Sequence, residues 1–229
     1  MTFFLSLFSC FDSIFWCYCG TVGGGIKSQM CSVLLTTKRL ILRRFCEDDA
    51  DNLYALDNDP EVMQFLNGGI PAPRDVIQNE ILPNFLHDDA QYPGYGFWAV
   101  AAKESGMFLG WLSLRATGAD PGEAALGFRL RKSAWGNGYA TEVAQAILHK
   151  GFTELGVQRV IATTYEKNVS SCRVLEKIGM KLARKFRFTT EDLMHIDSFY
   201  VDTLDVWDGY DFEYVLEKSE WERQQAAIG

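Results

Sequence analysis

The sequence predicts an α/β fold of the mixed α+β type, with a largely antiparallel sheet, inserted βα units and one core. Two observations support this prediction. Short β-rich runs alternate irregularly with helical patterns, and two of these runs flank a hairpin turn at 104–106. The composition, with 48% hydrophobic and 23% charged residues, is ordinary for a globular protein, and 229 residues suit one domain.

Strands are predicted where β-branched and aromatic residues run between turn signals. The runs that fit this description are 39–45, 97–102, 107–114, 124–131, 159–165, 181–188 and 212–216.

Helices are predicted where a capping residue precedes apolar residues at helical spacing. The predicted helices run from Asp48 to Leu56, from Asp59-Pro60 onward, over 74–86, over 138–155 and over 169–178. Pro83 should kink or split the third helix, because proline removes a backbone donor and clashes with the preceding turn. Asn168 is expected to cap the last helix, and Gly179 is expected to end it.

The net charge of −8 makes nucleic acid an unexpected partner, since nucleic-acid binders are usually basic. The acidity is local, because residues 188–217 contain nine acids and no Lys or Arg. Two interpretations stay open for this acidic segment. It is either a solvated loop or a field that attracts a cationic substrate.

The cysteines indicate a reduced, cytoplasmic protein without a metal. Four of the six crowd the first 31 residues, whereas a disulfide-stapled domain would spread them through its body. Residues 1–19 are apolar but resemble neither a signal peptide nor a membrane helix, because Asp12 interrupts them and Lys27 is the first basic residue. We therefore expect no membrane association. Residues 1–30 are predicted to be a dispensable extension, and 31–229 a single domain.

A glycine-rich turn between the strand 124–131 and the helix 138–155 is the first candidate site. Gly136 and Gly138 permit positive φ and close backbone approach, and the N–H groups at the helix start can bind an anion such as a pyrophosphate. The dinucleotide-binding fingerprint requires Gly or Ala where Thr141 stands. Taken alone, such a turn is often only a tight turn.

The second candidate site lies about thirty residues further on. Each of its residues has a simple structural explanation: Asn168 as a helix cap, Ser171 as a polar residue of the first turn and Gly179 as the helix end. Those explanations do not account for its position after a pyrophosphate-type turn.

Together the two segments resemble the GNAT acyl-CoA N-acyltransferases, most closely the RimJ/RimL-type branch. Residues 135–140 are similar to the family's pyrophosphate loop, Gln/Arg-x-x-Gly-x-Gly/Ala, with Gly138 and Ala140 matching and Trp135 replacing Gln or Arg. The later pattern Asn-x-x-Ser-x-x-x-x-Glu-Lys-x-Gly-Phe is matched by Asn168, Ser171, Glu176, Lys177 and Gly179, with Met180 for Phe. Residues 37–43 and 59–63 resemble the opening of this branch.

The resemblance implies a central, largely antiparallel twisted sheet whose middle strands splay, flanked by helices, and acetyl-CoA as the cosubstrate. In the family, main-chain groups of the strand before the loop hold the pantetheine, which corresponds here to Phe128 and Leu130. The residues implied to hold the rest of acetyl-CoA are Trp135, Gly136, Asn137, Gly138, Tyr139, Ala140, Thr141, Asn168 and Ser171. Ser171 is the implied proton donor to the leaving thiolate, and Asn168 lies near the pantetheine or the nucleophile.

The sequence does not single out one general base. Related enzymes often carry a carboxylate two residues before Gly127, but Ala125 stands there. Glu123 could act from two residues earlier on the same strand face, directly or through water. His195 and Asp197 are rivals, and a reaction without a side-chain base also stays open.

The predicted function is an acetyl-CoA-dependent N-acetyltransferase in which a primary amine attacks the thioester directly in a ternary complex. The amine would be a protein N-terminus or a small molecule, and the protein a monomer or homodimer. A non-catalytic acyl-CoA-binding or regulatory module on the same fold is the alternative, suggested by Ala125 and Trp135.

Overall fold

The computed structural model describes residues 32–87, 93–118, 122–187 and 209–227. These residues form one eight-stranded sheet in the order β1-β2-β3-β4-β5-β6-β8-β7. Neighbouring strands are antiparallel except β5 and β6, which are parallel. The strands are β1 Val33–Thr36, β2 Leu40–Arg43, β3 Gly96–Ala102, β4 Phe108–Ala116, β5 Glu123–Leu130, β6 Arg159–Tyr165, β7 Lys181–Phe186 and β8 Asp211–Glu217.

Helices cover both faces of the sheet. One face carries α1 Ala50–Asp57, α2 Pro60–Met63, α3 Arg74–Val76, a π-helical turn at Ile77–Ile81 and α4 Leu82–Leu86. The other face carries α5 Tyr139–Thr153, α6 Val169–Lys177 and α7 Lys218–Ala226. Two short 3₁₀ turns are Glu47–Asp49 and Lys132–Ala134.

Each face of the sheet has its own buried core. The core under α5 is the larger, and the apolar stripe of α5 lies in it, with Val143, Ile147 and Phe152 fully buried. The core under α1–α4 is aromatic: the rings of Phe85 and Phe97 stack with their centroids 4.0 Å apart. These two cores hold the sheet rigid from both sides, so the strands can position a site between them.

The predicted fold is confirmed, and the predicted elements lie within a few residues of the observed ones. Two elements were not predicted, the edge strand β1 and the last helix α7. The predicted disturbance at Pro83 is observed as the π-helical turn that immediately precedes α4. Residues 1–31 and the acidic residues 188–208 lie outside the described residues, so the dispensable extension stays a prediction. Within the described ranges, no helix is long and apolar enough to span a bilayer.

The central feature of the sheet is that β5 and β6 stop pairing after a short stretch of three residue pairs. Their register pairs Glu123 with Arg159 and Ala124 with Val160, and it ends at Ala125 with Ile161. On its other side β5 stays paired with β4 along the whole of its length to Leu130. The two parallel strands therefore open into a V-shaped cleft toward their carboxyl ends, and the predicted splay of the middle strands is confirmed.

Candidate active site

The backbone of β5 presents hydrogen-bonding groups to the cleft. The N–H of Arg131 donates to the Leu109 carbonyl of β4 at 2.8 Å, which fixes which residues of β5 face β4. Because backbone groups alternate along a strand, Arg129 bonds toward β4 while Phe128 and Leu130 direct theirs toward β6. These are the two residues predicted to hold an extended pantetheine arm.

A glycine loop follows β5 and leads into α5. Gly136 and Gly138 have φ of +74° and +76°, a left-handed conformation that only glycine adopts without strain. Gly138 is the N-cap of α5, so the N–H groups of Tyr139, Ala140 and Thr141 begin the helix without acceptors inside it. These groups and the helix dipole favour an anion at this point.

Trp135 and Asn137 shape the loop from within. The Trp135 indole Nε1 donates to the Leu130 carbonyl at 2.8 Å, so this carbonyl already accepts one bond, while Trp135 as a whole is 42% exposed. Asn137 Nδ2 donates to the carbonyls of Trp135 at 3.0 Å and Ala134 at 3.3 Å. The side chains of both residues therefore stabilise the turn, while their contacts with acetyl-CoA stay predictions.

A brace from the β1–β2 turn holds the loop, and sequence reasoning missed it. Glu142 in the first turn of α5 accepts from Thr37 Oγ1 at 2.6 Å, from Arg39 N–H at 2.9 Å and from Arg39 Nε at 2.7 Å. Arg39 also donates to the Asn137 carbonyl at 2.9 Å and lies 4.5 Å above the Tyr139 ring. Burial acts to raise the pKa of Glu142, but the hydrogen bonds from Thr37 and Arg39 outweigh it and lower this pKa.

Three residues separate the open end of β6 from the start of α6. Asn168 is its N-cap, and its Oδ1 accepts from the Ser171 N–H at 3.2 Å, as the capping pattern predicted. Ser171 is half-buried in the first turn. Cys172 beside it is buried, and burial raises the pKa of its thiol, so this cysteine stays protonated at neutral pH.

A cleft opens between two parallel strands; a glycine loop follows one strand and a capped helix follows the other. Comparison of the sequence with known protein families agrees with this arrangement. A sequence model described as Acetyltransferase (GNAT) domain matches residues 39–181, which include both strands that border the cleft. The chain belongs to the GNAT acetyltransferase family. It is therefore an acyl-CoA-dependent enzyme, as the sequence predicted, while the RimJ/RimL-type branch stays a prediction.

Relatives of this GNAT acetyltransferase match most of its length. The uncharacterized N-acetyltransferase p20 of Bacillus licheniformis is 29% identical over 147 residues, which are 64% of this chain and 82% of its own. The FsC-acetyl coenzyme A-N(2)-transacetylase of Aspergillus fumigatus is 30% identical over 203 residues, 83% of this chain and 79% of its own. Spermidine N-acetyltransferase from Vibrio cholerae, solved with CoA and spermine, shares the fold with a TM-score of 0.61 and 16% identity. That match covers 80% of this chain and 97% of the Vibrio chain.

The carboxyl group predicted as a base lies at the closed end of the cleft in this GNAT acetyltransferase. Glu123 is the first residue of β5, and its Oε2 is 3.2 Å from Arg159 Nε at the start of β6. It precedes Phe128 by five residues, and its role as a base stays a prediction. The rivals His195 and Asp197 lie outside the described residues.

A second carboxyl cluster, which the sequence did not single out as catalytic, lies at the open end of β6. Asp211 begins β8 opposite Tyr165, and the next residue of the chain after Tyr165 is Glu166. Burial raises the pKa of Asp211 to about 6, and the charge of Glu166 adds to this rise. No local motif could have revealed it, because the burial arises only when β6 and β8 pair.

Polar pairs tie the α1–α2 layer to the end of β5 that leads into the loop. The guanidinium of Arg129 pairs with the fully buried carboxylate of Asp57, and Arg131 Nη2 donates to Asn52 Oδ1 at 3.2 Å. Lys132 and Glu61 form a more exposed pair further along. Among the described residues, no group of three or more His, Cys, Asp or Glu side chains is placed to hold a metal ion.

Proposed function

We propose that this protein transfers the acetyl group of acetyl-CoA to a primary amine, by direct attack of the amine on the thioester in a ternary complex. The single observation that carries the proposal is the parting of β5 and β6 beside the glycine loop. This arrangement offers one edge for an extended amide chain and one anion site, which suit the pantetheine and the pyrophosphate of CoA.

The proposed binding mode divides the cosubstrate between backbone groups. The amide groups of pantetheine form hydrogen bonds with the backbone groups of Phe128 and Leu130 that point away from β4, as an added strand would. The N–H groups of Gly138 to Thr141 hold the pyrophosphate, and the brace from Arg39 to Glu142 keeps them in place. Because these groups are fixed by the fold, they orient the thioester without reorganisation during the reaction.

The proposed proton donor to the departing thiolate is Ser171, with Asn168 fixing the turn that carries it. In this scheme the amine nitrogen forms a bond to the thioester carbon, the carbon–sulfur bond breaks, and the thiolate takes up a proton. Every residue in this scheme comes from one chain, so the proposal holds for a monomer or a homodimer. A RimJ/RimL-type branch and a cytosolic location are part of the same proposal.

The acceptor class is proposed to be a cationic amine, either a protein N-terminus or a small molecule. The relative named as an N(2)-transacetylase and the structural neighbour named as a spermidine N-acetyltransferase both support an amine acceptor. The acidic segment 188–217 supports a cationic acceptor, because a group of negative charges attracts a cation, most strongly at low salt.

The test is release of free CoA thiol from acetyl-CoA with a panel of amines: spermidine, kanamycin and a peptide with a free N-terminal alanine. Amine-dependent thiol release, together with mass spectrometry of the acetylated product, is the expected result. Calorimetry would measure CoA binding in parallel. Binding without thiol release for every amine would instead favour the regulatory module suggested by Ala125 and Trp135.

Replacement of Ser171 by alanine is expected to lower kcat by about 100-fold or more and to change the KM for acetyl-CoA by less than about twofold. The reason is that a proton donor acts on the departing thiolate and contributes little to ground-state binding. Steady-state kinetics with the best amine of the panel measure this split. Ser170→Ala is the matched control, since Ser170 is an exposed neighbour in the same turn. A kcat of Ser171→Ala equal to that of the control would leave Ser171 as a helix-start residue only.

A further inference from the structure

Asp211 lies beside the diverging part of β6, where the cleft is open. It is the first residue of β8 and pairs in register with Tyr165, the last residue of β6. Tyr165 is four residues beyond Ile161, the last residue of β6 that pairs with β5, and three residues before Asn168. Asp211 therefore flanks the stretch of chain that leads directly to the proposed proton donor.

The side chain of Asp211 faces the layer formed by α1–α4. Tyr214 and Leu216 of the same strand are buried in the core on the opposite face, and side chains alternate along a strand. Tyr165 faces the same way as Asp211, and its ring centroid is 6.2 Å from that of Phe65, which follows α2. An acceptor that reaches the cleft from the side opposite α5 would pass this half-buried carboxyl group.

Burial and a neighbouring charge shift the pKa of Asp211 toward neutrality. Among the described residues, the charged groups around Asp211, Tyr165 and Tyr210 include Glu166, Lys167, Lys185 and Arg187, with the Arg184–Glu213 pair further along the same face of β8. Lys185 Nζ lies 2.8 Å from Glu166 Oε2, and this bond lowers the pKa of Glu166. Glu166 is thus ionised at neutral pH, whereas burial and the Glu166 charge raise the pKa of Asp211 to about 6.

We propose that Asp211 is the general base of the acetyl transfer and accepts a proton from the ammonium form of the acceptor amine. The proposal rests on the proposed amine acceptor. Glu123, the carboxyl predicted from the sequence, is instead held by Arg159 at the closed end of the strand pair. A base whose pKa is close to the working pH is both ionised and able to take up a proton, which is the optimum for general base catalysis.

The acceptor ammonium transfers one proton to the Asp211 carboxylate, and the freed nitrogen lone pair forms a bond to the thioester carbon. When the carbon–sulfur bond breaks, Ser171 gives its hydroxyl proton to the thiolate and regains one from the nitrogen. The products are the amide, the CoA thiol and a protonated Asp211, which returns its proton to water.

Asp211→Asn is expected to lower kcat by about 100-fold or more with the best amine of the panel, and to leave the Kd for CoA unchanged. The wild-type kcat/KM should fall about tenfold per pH unit below pH 6, because protonated Asp211 cannot accept a proton. The variant should lose this limb of the pH profile. Aniline is neutral at the assay pH and needs no base to free its lone pair, and the proton it loses after attack goes to Ser171, so with aniline the defect of the variant should shrink to less than about threefold.

Two further variants decide between carboxyl groups. Glu213→Gln is the matched control, since Glu213 lies two residues further along the same face of β8 and pairs with Arg184 at 2.8 Å. Glu123→Gln tests the competing assignment. Loss of the acidic limb of the pH profile in Glu123→Gln, or its retention in Asp211→Asn, would overturn the proposal. A defect of Asp211→Asn that is as large with aniline as with the best amine of the panel would also overturn it. A wild-type enzyme inactive with every amine would instead refute the proposed function.

Discussion

Asp57→Asn is expected to lower the free energy of unfolding by about 3–5 kcal/mol, because it removes the buried carboxylate that pairs with the Arg129 guanidinium. The Asp57 side chain is 0% exposed and that of Arg129 is 7% exposed. The guanidinium also lies 5.1 Å from the Trp111 ring, so it cannot move into water without disturbing the aromatic core. Denaturant unfolding followed by tryptophan fluorescence measures the change.

Asp51→Asn is the matched control for this prediction, since it removes a carboxylate of the same helix. The pair of Asp51 with Arg74 is exposed, with side chains 77% and 57% accessible, and exposed pairs contribute at most about 1 kcal/mol. A double replacement, Asp57→Leu with Arg129→Met, should recover most of the lost stability, because no unpaired charge is then buried. A cost of Asp57→Asn no larger than that of Asp51→Asn would contradict the prediction.

Gly138→Val is expected to weaken CoA binding by about tenfold or more. A non-glycine residue at the observed φ of +76° costs about 1–2 kcal/mol, and a β-branched residue costs more. A Cβ here would lie 3.6 Å from Arg39 Nη2, an ordinary contact, so the effect is conformational. The turn relaxes, and the N–H groups at the start of α5 lose their common direction. Isothermal titration calorimetry with CoA measures the affinity.

Gly156→Val separates this effect from general strain. Gly156 follows α5, has the same φ of +76° and has open space where a Cβ would lie. Both variants should lose similar stability, but only Gly138→Val should lose affinity for CoA. Equal CoA affinity in the two folded variants would remove the loop from the binding site.

The sequence predicted the glycine loop and the capped helix because their signals are local. A left-handed turn requires glycine at Gly138, and the side chain of Asn168 satisfies a donor only three residues away. Both are therefore readable from neighbouring residues. The parting of β5 and β6 followed from the family resemblance, since no pattern within either strand indicates where pairing stops.

The features that sequence reasoning missed depend on distant residues or on weak patterns. Arg39 and Glu142 are 103 residues apart, and nothing at either position indicates the other. Helix α7 buries mainly Trp221, so it lacks the apolar stripe that marked α5. The raised pKa of Asp211 comes from tertiary burial, whereas in the sequence this residue was one of nine acids in a single run.

The short paired stretch of β5 and β6 also divides the sheet into two parts that are synthesised one after the other. Strands β1 to β5 are neighbours in chain order, so they can complete an antiparallel meander before β6 leaves the ribosome. Strands β6, β8 and β7 then form a second unit from later residues, which meets the first through three residue pairs. The cleft between β5 and β6 is thus the boundary between two half-sheets that leave the ribosome one after the other, and α5 is the helix in the segment that connects them.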